Sequence, residues 1–374
     1  MCPPDTAVRQ AYYHPVHPVH PVHPVHPVHF VHPVHIMPPR TDTDFRPFHA
    51  PFPARDISTL LARHNRLWGE RWQCWCQCVQ PPWWARGLVI SPELRGRYES
   101  TLPVDEYLAS VTRLAEGFLP DASWVPAVLQ SAAGCGCLPG SPPYASIADY
   151  WAALPDGLAG KLCLTADELL PLFCALADPP RYGTTTGRYP EQLADLDDLF
   201  RHWPAHTPLR LLDIGCGVGL NTLEIATHAT ALAPQAALAV TGISAEHLEV
   251  WMASTRRLPH DPQREKALRN FPRDLPVAFA YGRAEDFSLP GRFDIAICNG
   301  LAGGRFLHQP AHIAAFLDRC AKTITQDGRL FLANRFHDGH RDQLDELATV
   351  AKDRGWSCAG APRNLCLQPP ATAR

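Results

Sequence analysis

A glycine-rich turn is the part of the sequence whose residue types and spacing could do chemistry. Between two apolar segments it runs through Asp213, Ile214, Gly215, Cys216, Gly217, Val218 and Gly219. Glycines at every second position allow positive φ angles and let a ligand approach the backbone closely. The spacing differs from the Gly-x-Gly-x-x-Gly of dinucleotide-binding proteins, as does the acid two residues before the first glycine. The turn therefore indicates a backbone-lined ligand site of another kind.

The apolar runs on either side of the turn predict the elements that must hold it. Residues 209–214 predict a buried strand before the turn, and residues 220–232 predict a helix after it. The pattern then repeats, with predicted strands at 237–243, 277–281, 293–299 and 330–333, predicted helices at 245–257, 312–323 and 341–354, and two short strands near Trp356 and Leu365. Alternation of strands and helices over residues 205–370 predicts an α/β fold with a parallel, doubly wound sheet.

A different pattern comes earlier and predicts a mainly helical domain over residues 57–203. Between Ile57 and Cys78, large side chains recur at helical spacing, namely Leu60, Leu61, His64, Trp68, Trp72 and Trp75. Further helices are predicted at 104–117, at 166–177 with Thr165 as N-cap, and at 190–203. A proline-bounded break at 204–208 separates this domain from the strand–helix domain at 205–374.

Residues 1–56 predict a disordered segment that contains a His-Pro-Val repeat and a proline-rich linker. Histidine occupies every third position, at His14, His17, His20, His23, His26, His29, His32 and His35. Proline at this spacing favours polyproline II, in which the imidazoles line one ridge. Two interpretations stay open: metal or partner binding, or a slipped nucleotide repeat without a function, with Met37 as an alternative start of translation.

Five segments, in order along the chain, resemble those of the class I S-adenosylmethionine (SAM)-dependent methyltransferases. The glycine-rich turn is similar to motif I of that family. The later segments are Thr241–Ile243, Gly282–Phe287, Phe293–Asn299 and Gln326–Leu330. Over residues 205–370 the resemblance implies a Rossmann-like sheet and SAM as cofactor. It also implies an enzyme that transfers the methyl group to an acceptor by in-line displacement.

The resemblance assigns roles to the residues of the turn. Gly215, Gly217 and Gly219 would form the floor under the methionine and ribose of SAM. Asp213 would orient that loop or hold the amino group of the cofactor. Cys216 is interpreted as a packing residue. No residue is assigned a catalytic role, because the sulfonium already activates the methyl carbon and the acceptor is not identified.

Residues after the third and fourth strands would complete the cofactor site by the same resemblance. Glu285 or Asp286 would accept a hydrogen bond from the adenine amine, and the alternative for Glu285 is a helix cap or surface carboxylate. Asn299 and Gly300 would border the sulfonium. His308, His337 and His340 lie after the fourth and fifth strands and are candidates either for a base or for surface histidines.

Ser244 marks the departure from the family pattern. It stands at the end of the second strand, where the family places a carboxylate that binds the ribose hydroxyls. A serine cannot match the charge-assisted bonds of a carboxylate. Either Glu246 substitutes from the helix start, or the site binds SAM weakly. A SAM-fold binding or scaffold protein without transfer activity is therefore the alternative hypothesis.

The segment Thr184–Leu193 bears a slight resemblance to the chemotaxis receptor-glutamate methyltransferases (CheR type). If the match holds, Arg188 would pair with the carboxylate of SAM through a bidentate bond. The alternative is an arginine that merely begins a helix. No small β insertion fits between the second and third strands, so chemoreceptors are not expected as the substrate, and the acceptor is a protein side chain or a small molecule.

Composition narrows the remaining classes of partner. The chain of 374 residues has a net charge of −3, which argues against a nucleic-acid partner. No apolar run of about 18 residues predicts a membrane span. Thirteen scattered cysteines indicate free thiols in a reducing cytoplasm.

Two residue clusters invite functional interpretations beside simpler ones. Thiolates for a metal could come from Cys74, Cys76, Cys78, Cys135 and Cys137, although neither spacing is that of a zinc knuckle, and no metal site is assigned. A single-stranded nucleic acid could stack on aromatic residues interleaved with arginines, namely Arg63, Arg66, Trp68, Arg71, Trp72, Trp83, Trp84 and Arg86. An amphipathic helix that buries its tryptophans is the simpler prediction. A metal-handling protein led by the histidine repeat is the third functional hypothesis.

Overall fold

The structure is a computed structural model. It describes residues 52–78, 100–126, 128–129, 162–178, 185–302, 307, 309–334, 341–361 and 363–371. The His-Pro-Val repeat lies outside these residues. The segment Thr43–Arg374 forms one compact unit, which contains all the elements described below.

Four helices precede the sheet within the described residues. They are α1 (Ser58–Cys78), α2 (Val104–Phe118), α3 (Ala166–Ala177) and α4 (Pro190–Arg201). The predicted helices are thus confirmed to within about two residues at each end. Thr165 is the N-cap of α3 as predicted, and it forms a capping box with Glu168, whose carboxylate accepts the Thr165 N–H at 2.8 Å.

His64 fastens α1 to its surroundings. The imidazole is buried, with Nδ1 2.8 Å from the Ser110 hydroxyl of α2 and Nε2 2.8 Å from the Leu162 carbonyl. Both ring nitrogens therefore have partners, as a buried histidine requires. This histidine of the predicted apolar stripe holds helices together.

The sheet has seven strands among the described residues. The elements of this part are β1 (Pro208–Ile214), α5 (Leu220–Leu232), β2 (Ala237–Ser244), α6 (His247–Thr255), α7 (Pro262–Asn270), β3 (Val277–Tyr281), β4 (Phe293–Asn299), α8 (Pro310–Thr323), β5 (Ile324–Ala333), α9 (Arg341–Asp353), β6 (Ser357–Ala361) and β7 (Asn364–Gln368). The strand order is β3-β2-β1-β4-β5-β7-β6. This confirms the predicted Rossmann-like α/β sheet.

The strand order reverses at β1. This strand pairs in parallel with β2 on one side and with β4 on the other. Such a topological switch point opens a crevice at the carboxyl ends of the two central strands, where open α/β sheets bind ligands. The glycine-rich turn follows β1 directly, so the fold places it at that crevice.

Two details of the sheet differ from the prediction. β7 pairs antiparallel with both β5 and β6, so the sheet is mixed and not wholly parallel. β5 begins at Ile324, earlier than predicted. The register between β4 and β5 shifts between Phe293–Ile324 and Ile295–Arg329, so the predicted turn at residues 326–328 is a bulge within the strand.

Helix α7 is an element that the sequence patterns did not predict. Asp261 caps it by accepting the Arg264 N–H at 3.0 Å, and Pro262 opens it. Leu268 is its one buried residue. With so little apolar surface, the segment has no hydrophobic period to detect.

The N-terminal helices share a hydrophobic cluster with helices of the sheet. Trp68 of α1 and Phe173 of α3, both with 0% exposure, belong to the same buried cluster as Leu223 of α5 and Met252 of α6. A division into a helical domain at 57–203 and a second domain at 205–374 stays a prediction.

None of the helices in the described part of the chain has the length and apolar character of a membrane span.

Candidate functional site

The turn after β1 has the backbone that its glycines predicted. Gly215, Gly217 and Gly219 have φ angles of 76°, 54° and 84°, in the left-handed region that favours glycine. The N–H groups of Gly215 and Cys216 both donate to the Ile243 carbonyl of β2, each at 2.9 Å. The turn is therefore held against β2 and leads into the N-terminus of α5.

Two glycines also make room for an aromatic ring beneath the turn. A Cβ at Gly219 would lie 2.6 Å from Cζ of Phe279, and a Cβ at Gly242 would lie 2.7 Å from its Cδ1. Phe279 belongs to β3 and is buried. The sequence did not predict that this ring lies at the turn, because a phenylalanine in one strand does not indicate which neighbouring strand its side chain packs over.

Asp213 supports the loop from inside. Its Oδ2 accepts the Thr222 hydroxyl at 2.6 Å and the Asn221 amide at 3.4 Å, both from the first turn of α5. Burial raises the pKa of Asp213 to about 6, partly offset by these two hydrogen bonds. Of the two roles predicted for Asp213, these contacts favour orientation of the loop.

At the end of β2, a second carboxyl group approaches Ser244. The Ser244 hydroxyl donates to the Glu249 carboxyl of α6 and accepts the Glu246 N–H at 3.1 Å. Burial, with Asp178 as the next cause, raises the pKa of Glu249 to about 8. Burial and then Asp121 raise the pKa of Glu246 to about 7. The carboxyl group in contact with Ser244 is thus that of Glu249, which sequence reasoning did not single out.

The end of β3 supplies a turn and an aromatic stack. Glu285 and Asp286 lie in a turn closed by the Phe287 N–H, which donates to the Arg283 carbonyl at 2.9 Å. Glu285 is partly buried and Asp286 is exposed. Tyr281, at 45% exposure, stacks on His247 with ring centroids 3.9 Å apart. The stack borders the position predicted for adenine and was not foreseen.

At the end of β4, the side chain of Asn299 makes three hydrogen bonds. Its Nδ2 donates to Oε1 of Gln192 at 2.7 Å, and its Oδ1 accepts Nε2 of Gln192 at 3.0 Å and the Ala333 N–H at 3.1 Å. Gln192 belongs to α4 and is 2% exposed. Gly300 follows with φ 73° and donates to the Ala333 carbonyl at 2.8 Å. This amide pair holds α4 against the carboxyl edge of the sheet.

Arg188 lies just before α4, which begins at Pro190. Its guanidinium is 5.9 Å from the ring centroid of Tyr189, and partial burial lowers its pKa. The preceding Gly187 donates its N–H to the Glu224 carboxylate of α5 at 2.8 Å. A small cleft between α4 and α5 is lined by Tyr189, Gln192, Leu193, Leu196, Asn221, Glu224 and Ile225.

Carboxyl groups outnumber cations around the turn. At the carboxyl ends of β1, β2 and β3 lie Asp213, Glu246, Glu249, Glu285 and Asp286. Arg283 is the basic residue that favours ionisation of Glu246. Carboxyl groups beside a turn with three glycines fit SAM, because carboxyl oxygens accept hydrogen bonds and the adenine amine of SAM is a hydrogen-bond donor. The residues present therefore match the cofactor that the motifs imply.

The predicted metal and base residues are mostly outside the described part of the chain. This applies to His308, His337, His340, Cys135 and Cys137. Within the described residues, Cys74 is a free exposed thiol, and no group of three metal-ligating side chains occurs.

Two of the three tryptophans of α1 are buried, and Trp72 is partly buried. Trp68 is 0% and Trp75 is 4% exposed. Arg71 lies 4.9 Å from the Trp68 ring centroid and forms an ion pair with Glu106 at 2.7 Å. Within α1 the simpler prediction of a buried aromatic stripe is confirmed. Trp83, Trp84 and Arg86 lie outside the described residues.

Comparison with known proteins finds likeness in solved structures alone. No protein-family profile and no curated protein matches the sequence. The N-methyltransferase NodS from Bradyrhizobium japonicum WM9, in complex with S-adenosyl-L-homocysteine, is 18% identical with a TM-score of 0.35, over 53% of this chain and 94% of that one. A ribosomal protein L11 methylase from Lactobacillus delbrueckii subsp. bulgaricus is 15% identical with a TM-score of 0.32, over 48% and 79%.

An rRNA methylase from Streptococcus thermophilus has a similar score. It is 14% identical with a TM-score of 0.32, over 50% of this chain and 100% of that one. The charge-based expectation against a nucleic-acid partner stays a prediction. Net charge reports the whole chain and does not reveal the charge of one surface.

Proposed function

We propose that this protein is an enzyme that binds SAM and transfers its methyl group to an acceptor. The observation that carries the proposal is the turn after β1, with three left-handed glycines at the topological switch point of the sheet. Three residues without side chains at this crevice let a ligand lie close to β1 and the N-terminus of α5. Carboxyl groups at the ends of β2 and β3 give the crevice hydrogen-bond acceptors that suit an adenine amine and ribose hydroxyls.

The chain's own residues would act mainly by binding and positioning. When bound, SAM supplies a methyl carbon that the sulfonium already activates. Glu285 or Asp286 would hold the adenine amine, and the backbone at Asn299 and Gly300 would form one wall beside the methyl group. The amide pair of Asn299 and Gln192 would keep that wall rigid, as alignment of an incoming nucleophile requires.

The acceptor is proposed only as a class. A protein side chain or a small molecule with a nucleophilic atom fits the fold, and an RNA acceptor is to be tested with them. Arg188, at the entrance of α4, is proposed as a partner of the carboxylate of SAM. A reducing cytoplasm is the proposed location, since the buried thiols Cys174, Cys216, Cys298 and Cys320 are free.

Isothermal titration with SAM and with S-adenosylhomocysteine tests the proposal. Wild-type protein should bind both. Gly217→Arg should abolish binding, because a long side chain would occupy the cofactor floor. Gly355→Arg is the matched control, since Gly355 also has a positive φ, at 79°, but lies exposed between α9 and β6 at the other edge of the sheet.

Three outcomes separate the hypotheses. No measurable affinity in the wild type would contradict the enzyme and the SAM-binding scaffold together. Equal affinity in Gly217→Arg and wild type would show that the site is misplaced. Binding without methyl transfer from radiolabelled SAM to protein, RNA and small-molecule pools would favour the scaffold hypothesis motivated by Ser244.

A further inference from the structure

The end of β2 has a serine where a ribose-binding carboxylate is expected, and the structure brings a carboxyl group to that serine from a helix. We propose that Glu249 acts through Ser244, which it holds as an acceptor for the ribose hydroxyls of the cofactor. Glu249 is then a positioning residue, and Ser244 is the residue that touches the ribose. This inference rests on the proposed SAM binding.

The position of Ser244 suits a ribose. The preceding residue, Ile243, accepts the N–H groups of Gly215 and Cys216 from the turn, each at 2.9 Å. The carbonyl of Ser244 itself accepts the Gly282 N–H at 2.9 Å, at the start of the segment that carries Glu285 and Asp286. Ser244 therefore lies between the floor proposed for the methionine and the loop proposed for adenine, which is where the ribose of one continuous ligand must pass.

The hydrogen bonds of the Ser244 hydroxyl determine whether it can donate to a ligand or only accept from it. A serine hydroxyl has one proton and two lone pairs. The proton is directed to the Glu249 carboxyl, and one lone pair accepts the Glu246 N–H at 3.1 Å. The remaining lone pair can only accept. The ribose hydroxyls donate hydrogen bonds to the carboxylate that the family has at this position. A serine hydroxyl fixed in this way can still accept those hydrogen bonds.

Glu249 is well placed to fix the orientation of the Ser244 hydroxyl. Ser244 is 4% exposed, so water offers little competition for its proton. A carboxyl oxygen accepts a hydrogen bond in either protonation state of the group. Without Glu249, the Ser244 hydroxyl would rotate freely and could point its proton at the ligand. Turning the hydroxyl back so that it accepts would then lower the affinity for the ligand.

A second layer of charges surrounds Glu249. Asp178, at the end of α3, pairs with Arg264 at 2.8 Å, and Arg264 also binds Asp261 at 2.7 Å. Asp178 disfavours and Arg264 favours the ionised form of Glu249. The C-terminal cap of α3 and the first turn of α7 thus both contribute charges around this carboxyl group. Glu246, in the turn before α6, also raises the pKa of Glu249.

Titration with two ligands tests the inference. We would measure the affinity of wild type and of Glu249→Met for S-adenosylhomocysteine and for its 2′,3′-dideoxy analogue. Methionine keeps the length of the side chain and removes the accepting oxygen. The variant should bind S-adenosylhomocysteine roughly tenfold more weakly, the loss expected for one hydrogen bond of this kind. Its affinity for the dideoxy analogue should equal that of wild type.

Two further variants complete the test. Glu249→Gln retains an accepting oxygen and should regain most of the affinity. Glu116→Met, on the exposed face of α2, is the matched control and should behave as wild type. If Glu249→Met does not fold, Ser244→Ala takes its place with the same pair of ligands, and it should lose affinity for S-adenosylhomocysteine alone.

The outcomes distinguish the inference from the proposed function. Absence of S-adenosylhomocysteine binding in the wild type would overturn the proposed function. Binding in the wild type with an unchanged affinity in Glu249→Met would overturn this inference alone. An equal loss for both ligands would also overturn it, because a purely structural role of Glu249 does not depend on the ribose hydroxyls.

Discussion

The ends of β2 and β4 lie on either side of β1 and satisfy their polar groups in opposite ways. At β4, Asn299 and Gln192 are neutral amides that saturate one another at 2.7 and 3.0 Å. At β2, Ser244 meets the ionisable Glu249, and burial raises the pKa of that carboxyl group to about 8. A neutral amide pair that bonds internally stabilises a wall, whereas a buried carboxyl group with a shifted pKa is typical of a ligand site.

The largest effect is expected when the β4 pair is broken. Asn299→Leu should lower the free energy of unfolding by about 3 kcal/mol, because Gln192 and the Ala333 N–H would be left buried without partners. Urea denaturation measures it. Gln192→Leu added to Asn299→Leu should restore part of that loss, and a double-mutant cycle gives the coupling. Additive single effects would show that the pair is not a unit.

A smaller and pH-dependent effect is expected at β2. Since the pKa of Glu249 is raised on folding, the folded state binds more protons than the unfolded state between about pH 4.5 and about pH 8. The group therefore contributes stability at low pH that is lost as the pH rises to about 8. Glu249→Gln should remove this slope, which is about 1.4 kcal/mol per pH unit inside that window, in a comparison of pH 5 with pH 8.5.

Unfolding in urea at the two pH values measures the change in slope. Glu116→Gln, which replaces an exposed carboxylate of α2, is the control and should leave the slope as in wild type. A slope in Glu249→Gln that equals the wild-type slope would assign the pH dependence to other groups, of which Asp213 and Glu246 also have raised pKa values.

The smallest effect is expected at β1, between the two ends compared above. Thr222→Val removes the hydroxyl that donates to Asp213 at 2.6 Å and should lower the free energy of unfolding by about 1 kcal/mol. The pKa of Asp213 should also rise further above about 6, since a bond that favours the carboxylate is lost. Carboxyl NMR titration checks the direction, and an unchanged pKa would contradict the assigned contact.

Periodic and turn-forming segments were predictable from the sequence. The bounds of β3, β4 and α5 agree with the prediction, because each element is rich in apolar residues and has a clear end. The positive φ angles of the three glycines followed from their spacing. α7 escaped prediction because four of its nine residues are charged and one is buried, so that no apolar period marks it.

The parts of the site that escaped prediction depend on tertiary contacts. Gln192 meets Asn299 across 107 positions of the chain, and nothing in either local sequence reports the other. Glu249 follows Ser244 by five residues, but the fold of α6 after the turn decides that their side chains meet. Glu246, which the sequence suggested for this place, contributes its backbone N–H to Ser244.

The shared bonding of Gly215 and Cys216 to one carbonyl has a consequence for amide hydrogen exchange. Both N–H groups point to the oxygen of Ile243, so neither can reach solvent by an opening that leaves the other in place. The two amides should show similar protection factors, because separation of the turn from β2 frees both of them. A ligand that lies across the turn would slow both to the same degree, which makes this pair of amides a reporter of occupancy.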